Sequence, residues 1–281
     1  MTKATKANHD ELFKAQDGWH KRVLALQSLH RTILESHSVE PLLQTLAKCL
    51  VEIFPDANVC LIWQNDPEKN TLHLAGRWSA SGSLPPPLDQ VTYQIPAAQS
   101  LSGEVIAQRQ PSRVEYDTQN QERFFWKPLA KQLSRYGMLA VLVPSVGSDV
   151  PLGCINIFTT SPTYRFPDED VDLLENIAGS VAVGFNNIAT SLLLRTHEEI
   201  AECCAHDPRS PQTLDKVAET VRDKVRAEGS SVFLVDAERN VLRLGGTTGI
   251  KDISPRSYGS VVYAPGDGYT GWVMKLSLIH I

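Results

Sequence analysis

The chain has 281 residues, 42% of them hydrophobic and 21% charged, and carries a formal net charge of -5. That composition is the one of a globular protein with room for one large domain or two ordinary ones. The negative balance excludes general electrostatic attraction to nucleic acid or anionic lipid. The N-terminal MTKATKANHDELFKAQ lacks the apolar segment of a secretory signal, and no stretch is read as reaching the roughly 20 apolar residues that span a bilayer. A cytoplasmic location without membrane contact is the resulting expectation. Five cysteines without CxxC or Cys/His spacing read as reduced, structural thiols rather than a metal site.

Residues 1–37 are expected to be an N-terminal region dominated by one helix, in which Trp19, Val23, Leu26, Ile33 and Leu34 recur at helical spacing. Ser38 then caps a second helix with Pro41 in its first turn, burying Leu43, Leu46, Leu50 and Phe54. NVCLIWQ (58–64) suits a central strand, NDPEKN a turn, and TLHLAGRWS (71–79) a half-buried strand by its alternation. A Pro- and Ser-rich loop leads to a strand at VTYQI, a short helix at LSGEVIAQ and a further strand at PSRVEY. GMLAVLVPS (137–145) and PLGCINIFT (151–159) form a closing hairpin. The fold class is therefore α+β, with one antiparallel sheet and flanking helices.

A long helix opens at FPDEDVDLL, with Pro167 and three acids in its first turn, where the macrodipole favours them. Leu174, Ile177, Val181, Phe185, Ile188 and Leu192 approximate a heptad seam. A helix of this length is expected to bury little against its own domain, so the seam is read as that of a two-chain bundle, the alternative being one surface helix packed on the sheet. DPRSP (207–211) interrupts it, and the pattern restarts. LAKCLVEIFPDANVCLIWQNDPEKNTLHLAG resembles VAETVRDKVRAEGSSVFLVDAERNVLRLGG, and SLSGEVIAQ corresponds to GYTGWVMK, with Gly103 matching Gly271. This reads as an internal duplication whose second copy stops after Lys275. The closing LSLIHI is what CTG TCT CTT ATA CAC ATC encodes, the end of a widely used sequencing transposon. Residues 276–281, His280 included, are accordingly expected to be a non-native tail.

The order of these motifs resembles the GAF domain, a small-molecule sensing module of signalling proteins. The resemblance is carried by GDGYTGWVM (266–274) and its copy SLSGEVIAQRQPSRV. SRYGMLAVLVPS, PLGCINIF and RFPDEDVDLLENIAGSVAVGFNN add to it. It implies a complete domain over 38–190, a helical connector over 191–211 and the first half of another domain over 212–275. Each complete domain would have a six-stranded antiparallel sheet with helices on one face and a ligand cleft on the other. It further implies dimerisation through terminal helices. Signalling would pass to a C-terminal effector that this chain lacks: a histidine kinase, phosphatase, cyclase or transcriptional activator.

The ligand chemistries of such domains are tested on the residues. Cyclic-nucleotide binders carry an Asn-Lys…Phe…Asp-Glu signature. Here TTSPTYRFPDEDV keeps Phe166 and Asp170, but Thr159 and Thr160 stand near the Asn-Lys. Bilin binders need a cysteine before the GMLAVL strand, and RFFWKPLAKQLSRY has none. No covalent bilin and no metal is expected, and the cofactor is left unknown. Free methionine sulfoxide reductases need reactive pocket thiols, whereas Cys60 and Cys154 lie in apolar strands. GxSxG, HExxH and P-loop patterns are also missing, so the chain is read as no enzyme.

The candidate pocket is placed at QERFFWKPLAKQLSRY (121–136). Phe124, Phe125 and Trp126 cannot all bury on one helix face, Arg123 and Arg135 suit an anion, and Trp78 adds an apolar wall. The leading expectation is a sensory, small-molecule-responsive module of a signal-transduction protein. The alternative is a ligand-free dimerisation scaffold, and the third reading is an enzyme like free methionine sulfoxide reductase.

Overall fold

The computed structural model describes residues 23–54, 56–84, 86, 88–90, 93–115, 136–225, 227–249 and 258–279. The chain divides into two compact units, Met1–Ile188 and Ala189–Ile281.

The first unit contains α1 (residues 23–35) and α2 (Val39–Ile53), then β1 (Ala57–Asp66) and β2 (Thr71–Ser79). β3 (Gln94–Pro96) leads through a single 3-10 turn into α3 (Leu101–Gln108) and β4 (Ser112–Val114). β5 (Gly137–Val143), β6 (Gly153–Thr159) and the start of α4 (Asp168–Cys204) complete it. The six strands lie in the order β3-β2-β1-β6-β5-β4 and every neighbouring pair is antiparallel. β1, β5 and β6 hold the interior because their sequences are apolar at both parities, so both faces of each strand are covered.

One face of the sheet, with Cys60, Ile62, Leu139, Val141, Ile155 and Ile157, meets the helices. α2 supplies Leu42, Leu46, Leu50 and Ile53, and α1 supplies Leu29 and Ile33. Ser38 stands at the N-cap of α2 in extended conformation but makes no side-chain capping bond. The opposite face carries Val59, Leu61, Trp63, Leu72, Leu74, Met138 and Phe158 beneath Leu101 and Val105 of α3.

Two expectations change here. The stripe read as a dimer seam packs inside the chain: Leu174, Ile177, Val181 and Ile188 are buried in the helix-side core and Phe185 packs against it. Only Leu192, at 44%, is exposed. The physical reason is that the apolar stripe of α4 joins α1 and α2 in the helix-side core of this same chain, so the stripe is already covered. The bilayer expectation also changes. Among the described residues α4 is long and apolar enough to cross a membrane by length and composition, with a window of mean hydropathy 1.5.

The second unit runs from the end of α4 through α5 (Pro211–Val225), β7 (Ser230–Asp236), β8 (Val241–Thr248), β9 (Val262–Tyr263) and α6 (Gly268–Ile279). Ser210 caps α5, accepting the Thr213 N–H at 3.1 Å. The three strands lie in the order β7-β8-β9. The β7–β8 hairpin reproduces β1–β2 in detail. The bulge between Ile62 and Trp63, opposite Gly76 and Leu74, recurs between Val232 and Phe233, opposite Gly246 and Leu244. Asp66 accepts the Lys69 N–H and Asp236 the Arg239 N–H, each at 3.1 Å. Asn70 and Asn240 close the two turns at φ 53° and 52°, a left-handed conformation that asparagine tolerates.

Val181 and Val183 separate core from surface on one helix, at 0% and 50% exposure. Val181→Glu buries an uncompensated carboxylate and is expected to cost about 4 kcal/mol, while Val183→Glu stays within about 0.5 kcal/mol. Urea unfolding of the two variants checks this assignment.

Candidate ligand-binding face

The sheet face that carries α3 is the candidate site. α3 is set against the sheet by its first turn. The Ser100 hydroxyl accepts the Gly103 N–H at 3.0 Å, and the Arg109 C-cap sits in the left-handed region at φ 54°. Gly103 has to be glycine, since a Cβ there would lie 1.8 Å from the Ala97 carbonyl oxygen. This approach turns Ser102 inward, where it is buried on the same face as Cys154 and Asn156 of β6.

Those three residues form a hydrogen-bond chain in an otherwise apolar layer. The Cys154 thiol donates to Asn156 Oδ1 at 3.1 Å, and Asn156 Nδ2 donates to Ser102 Oγ at 2.8 Å. Asn156 is flanked in the sheet by Leu61 of β1 and Ala140 of β5, and the small Ala140 leaves the space above it to α3. Burying a primary amide among such neighbours costs several kcal/mol, roughly 2–7, unless it is hydrogen-bonded, so the chain stabilises the placement. The amide has two donors and two acceptor lone pairs, and these bonds take one of each.

Around the chain, Trp63 meets Tyr93 at a ring separation of 6.1 Å, and Tyr136 stands edge-on to Phe158 at 6.3 Å. Arg77 ties the neighbouring loop down, donating to the Leu88 carbonyl at 3.0 Å and also to the Gln90 carbonyl. Burial pushes the Cys154 thiol up to about 12, with the bond to Ser102 acting in the opposite direction. Cys60, on the helix side of the sheet, is also pushed well above the ordinary thiol range by burial.

Of the residues singled out in the sequence, Arg123, Phe124, Phe125, Trp126 and Arg135 lie outside the described residues. Trp78 is a correction. It lies opposite Cys60, on the helix side, with the Lys48 ammonium of α2 5.5 Å from its ring centre. The bulge is the reason: Ala75 and Gly76 stand where one residue would keep the alternation, so parity reverses after Leu74 and carries Trp78 to the other face. Phe166 is buried in the helix-side core, edge-on to Tyr164 at 5.2 Å, and Asp170 accepts the Tyr164 hydroxyl. Thr160 is held by Asn58 Oδ1, which accepts its N–H and its hydroxyl, each at 2.7 Å. Asn156, Ser102 and Cys154 were not singled out as a site. The available signal was the one polar residue inside the apolar run GCINIF.

The second unit has a cleft of about 400 Å³ between the end of α4 and α5, lined by Glu199, Glu202, Cys203, Lys216 and Glu219 among others. Its lysines are engaged, Lys224 with Glu199 at 2.5 Å and Lys216 with Glu219 at 2.9 Å, as in a solvated ion-pair seam. Among the described residues no group of three or more His, Cys, Asp or Glu side chains could hold a metal ion.

The family model of the GAF domain matches residues 36–186. The chain belongs to the GAF domain family. The match spans the six-stranded sheet with its flanking helices, and GAF domains are small-molecule-binding regulatory modules. Solved structures share the fold. The GAF domain of a Coxiella burnetii phosphoenolpyruvate-protein phosphotransferase is 15% identical, with a TM-score of 0.49, over 61% of this chain and 96% of its own. An Aquifex GAF domain ("A. Aeolicus") in an inactive state is 15% identical, with a TM-score of 0.46, over 60% and 98%. A Staphylococcus aureus free methionine-R-sulfoxide reductase (fRMsr) in complex with its substrate is 20% identical, with a TM-score of 0.44, over 58% and 94%. No curated protein matches the chain. The expectation that this chain is no enzyme is corrected to an open one, since free methionine-R-sulfoxide reductases are among the solved structures it is similar to.

Thiol titration checks the layer. At pH 8 Ellman's reagent is expected to modify Cys203 and Cys204, which are partly exposed, and to reach Cys60 and Cys154 only after unfolding. The folded state keeps Cys154 neutral to about 12, above the ordinary thiol value of about 9.0. Its contribution to stability is therefore full below pH 9 and is lost as pH rises towards 12. Alkaline unfolding of Cys154→Ala against the parent chain reads that loss.

Proposed function

We propose that the GAF domain of the first unit is the ligand-responsive sensory module of a cytoplasmic signal-transduction protein. Its effector would lie outside this chain and would be a kinase, phosphatase, cyclase or transcriptional activator. The observation that carries the reading is the Cys154–Asn156–Ser102 chain, which joins α3 to the centre of the sheet on the face away from α1, α2 and α4. A ligand whose acceptor takes the Asn156 Nδ2 hydrogen that now goes to Ser102 Oγ would compete with Ser102 and thereby shift α3. Arg123, Phe124, Phe125, Trp126 and Arg135 belong to the proposed roof over this face.

The module works as a homodimer in this reading. Leu24 and Leu34 of α1 expose apolar surface that a second copy would cover. The second unit, with its repeated hairpin, is the beginning of a tandem GAF-like domain. A ligand-free dimerisation scaffold is the second reading, favoured by one observation: the polar atoms of the layer bond to one another, so the layer is self-sufficient.

Thermal shift of the full chain separates the two. The probes are free amino acids, methionine sulfoxide and cyclic purine nucleotides at millimolar concentration. A ligand present at 100 times its Kd adds about 2.7 kcal/mol, which is a rise of roughly 5–11 °C for a domain of this size. The sensor reading expects such a rise with at least one probe, and its loss in Asn156→Leu and in Trp126→Ala. No shift with any probe, together with a sedimenting dimer, supports the scaffold.

A further inference from the structure

Thr220 of α5 keeps a hydroxyl that its own helix does not use. Serine and threonine inside a helix can return the hydroxyl to the carbonyl four residues back. Thr32 does so to Ser28 at 2.9 Å, Ser180 to Asn176 at 3.0 Å and Thr196 to Leu192 at 2.7 Å. Thr220 is more buried than any of these, at 8% exposure, yet among the described residues nothing bonds its hydroxyl. It lines the cleft of about 400 Å³ between the end of α4 and α5, which lies within the second unit. A buried hydroxyl without a partner is costly, and it marks a place where a partner fits.

The cleft is also more acidic than its lysines offset. Glu199, Glu202, Glu219 and Asp223 stand against two cations, Lys216 and Lys224. Lys224 is taken by Glu199 at 2.5 Å and Lys216 by Glu219 at 2.9 Å, while Asp223 meets Arg222 at 2.6 Å. Glu202 has no ion pair among the described residues. An anion therefore finds both lysines of the cleft occupied.

A compact metal ion fits no better. Among the described residues no three carboxylate, thiol or imidazole groups converge on one point. The acids are spread along two helices instead. Glu199 to Cys203 and Glu219 to Asp223 each span four residues, about 6 Å along a helix axis. Such a spread suits a linear cation with a charge at each end. An alkylammonium group offers three donors and no acceptor, so it can bond a carboxylate and a hydroxyl at once.

We propose that the cleft between α4 and α5 binds a linear aliphatic polyamine. One ammonium donates to the Thr220 hydroxyl and to a cleft carboxylate. The other meets Glu202, which is exposed at the rim, and the alkyl chain between them covers the Cys203 thiol. The bound cation would thus bridge α4 to α5. The proposal is independent of the ligand reading, which concerns the first unit.

Equilibrium dialysis of the four-carbon diamine putrescine against the full chain at low salt tests this. Saturable binding is expected, about tenfold or more tighter than that of 1-butylamine or Mg²⁺, and weakened by added salt. Glu202→Gln should weaken it by about tenfold, and Thr220→Val, which keeps the side-chain shape, by about threefold. Glu198→Gln, beside the cleft but outside its lining, should leave it unchanged. Putrescine should also slow the reaction of Cys203 with Ellman's reagent in a Cys204→Ser chain, since both thiols are partly exposed without it. Binding no tighter than that of 1-butylamine or Mg²⁺ overturns the proposal. So does binding that Glu202→Gln and Glu198→Gln reduce equally, which is general attraction to an acidic chain, or a Cys203 reaction that putrescine leaves unchanged.

Discussion

The antiparallel pairing of β1 with β6 is the constraint on which the rest of the first unit depends. Seven Cα partners, from Ala57 opposite Thr159 to Gln64 opposite Gly153, place two largely apolar strands side by side at the centre of the sheet. Because successive side chains alternate, this pairing decides which residues meet α1, α2 and α4 and which meet α3. Cys60, Ile62, Ile155 and Ile157 go to the helices, and Leu61, Trp63, Cys154 and Phe158 to the other side. A slip of one residue would carry Asn156 into the helix-side core, where nothing waits to bond its amide.

The two layers differ in chemistry for that reason. The helix-side layer is closed by apolar packing, with the stripe of α4 joining α1 and α2 in one core. The α3 layer has a polar chain through its middle, and its outer helix is short. An eight-residue helix has little stability of its own and holds its place through Ser100, Gly103 and the bond from Asn156 to Ser102. Local opening costs least where few contacts hold an element, so the short α3 is expected to open more readily than α4, which is anchored by Leu174 to Ile188.

Much of this was legible in the sequence, because the signals were local. NVCLIWQ, GMLAVLV and GCINIF are apolar at both parities and became the central strands. LSGEVIAQ, with serine before it, became the capped α3. What failed depended on tertiary geometry. Alternation carried forward from Leu72 and Leu74 puts Trp78 on the pocket side, and only the bulge at Ala75–Gly76 sends it to Lys48. Leu174 to Ile188 has the spacing of an interchain seam, but spacing does not say which partner fills it, and the sheet does. The strand expected at VTYQI is β3, over Gln94–Pro96, since its short pairing with β2 covers only Thr71–His73. The site was the least legible part. Asn156 is visible as a polar residue in an apolar strand, yet Ser102 lies far away in sequence and only the fold brings the two together.

Native-state hydrogen exchange across a urea series tests the organising role of the β1–β6 pair most directly. If that pair holds the domain together, the amides of Leu61 and Ile62 and those of Ile155 and Ile157 open only by global unfolding. They should then share one free energy and one urea dependence, equal to those of the whole-domain transition. Separate opening of β6 at a lower free energy, with β1 still protected, would contradict the account.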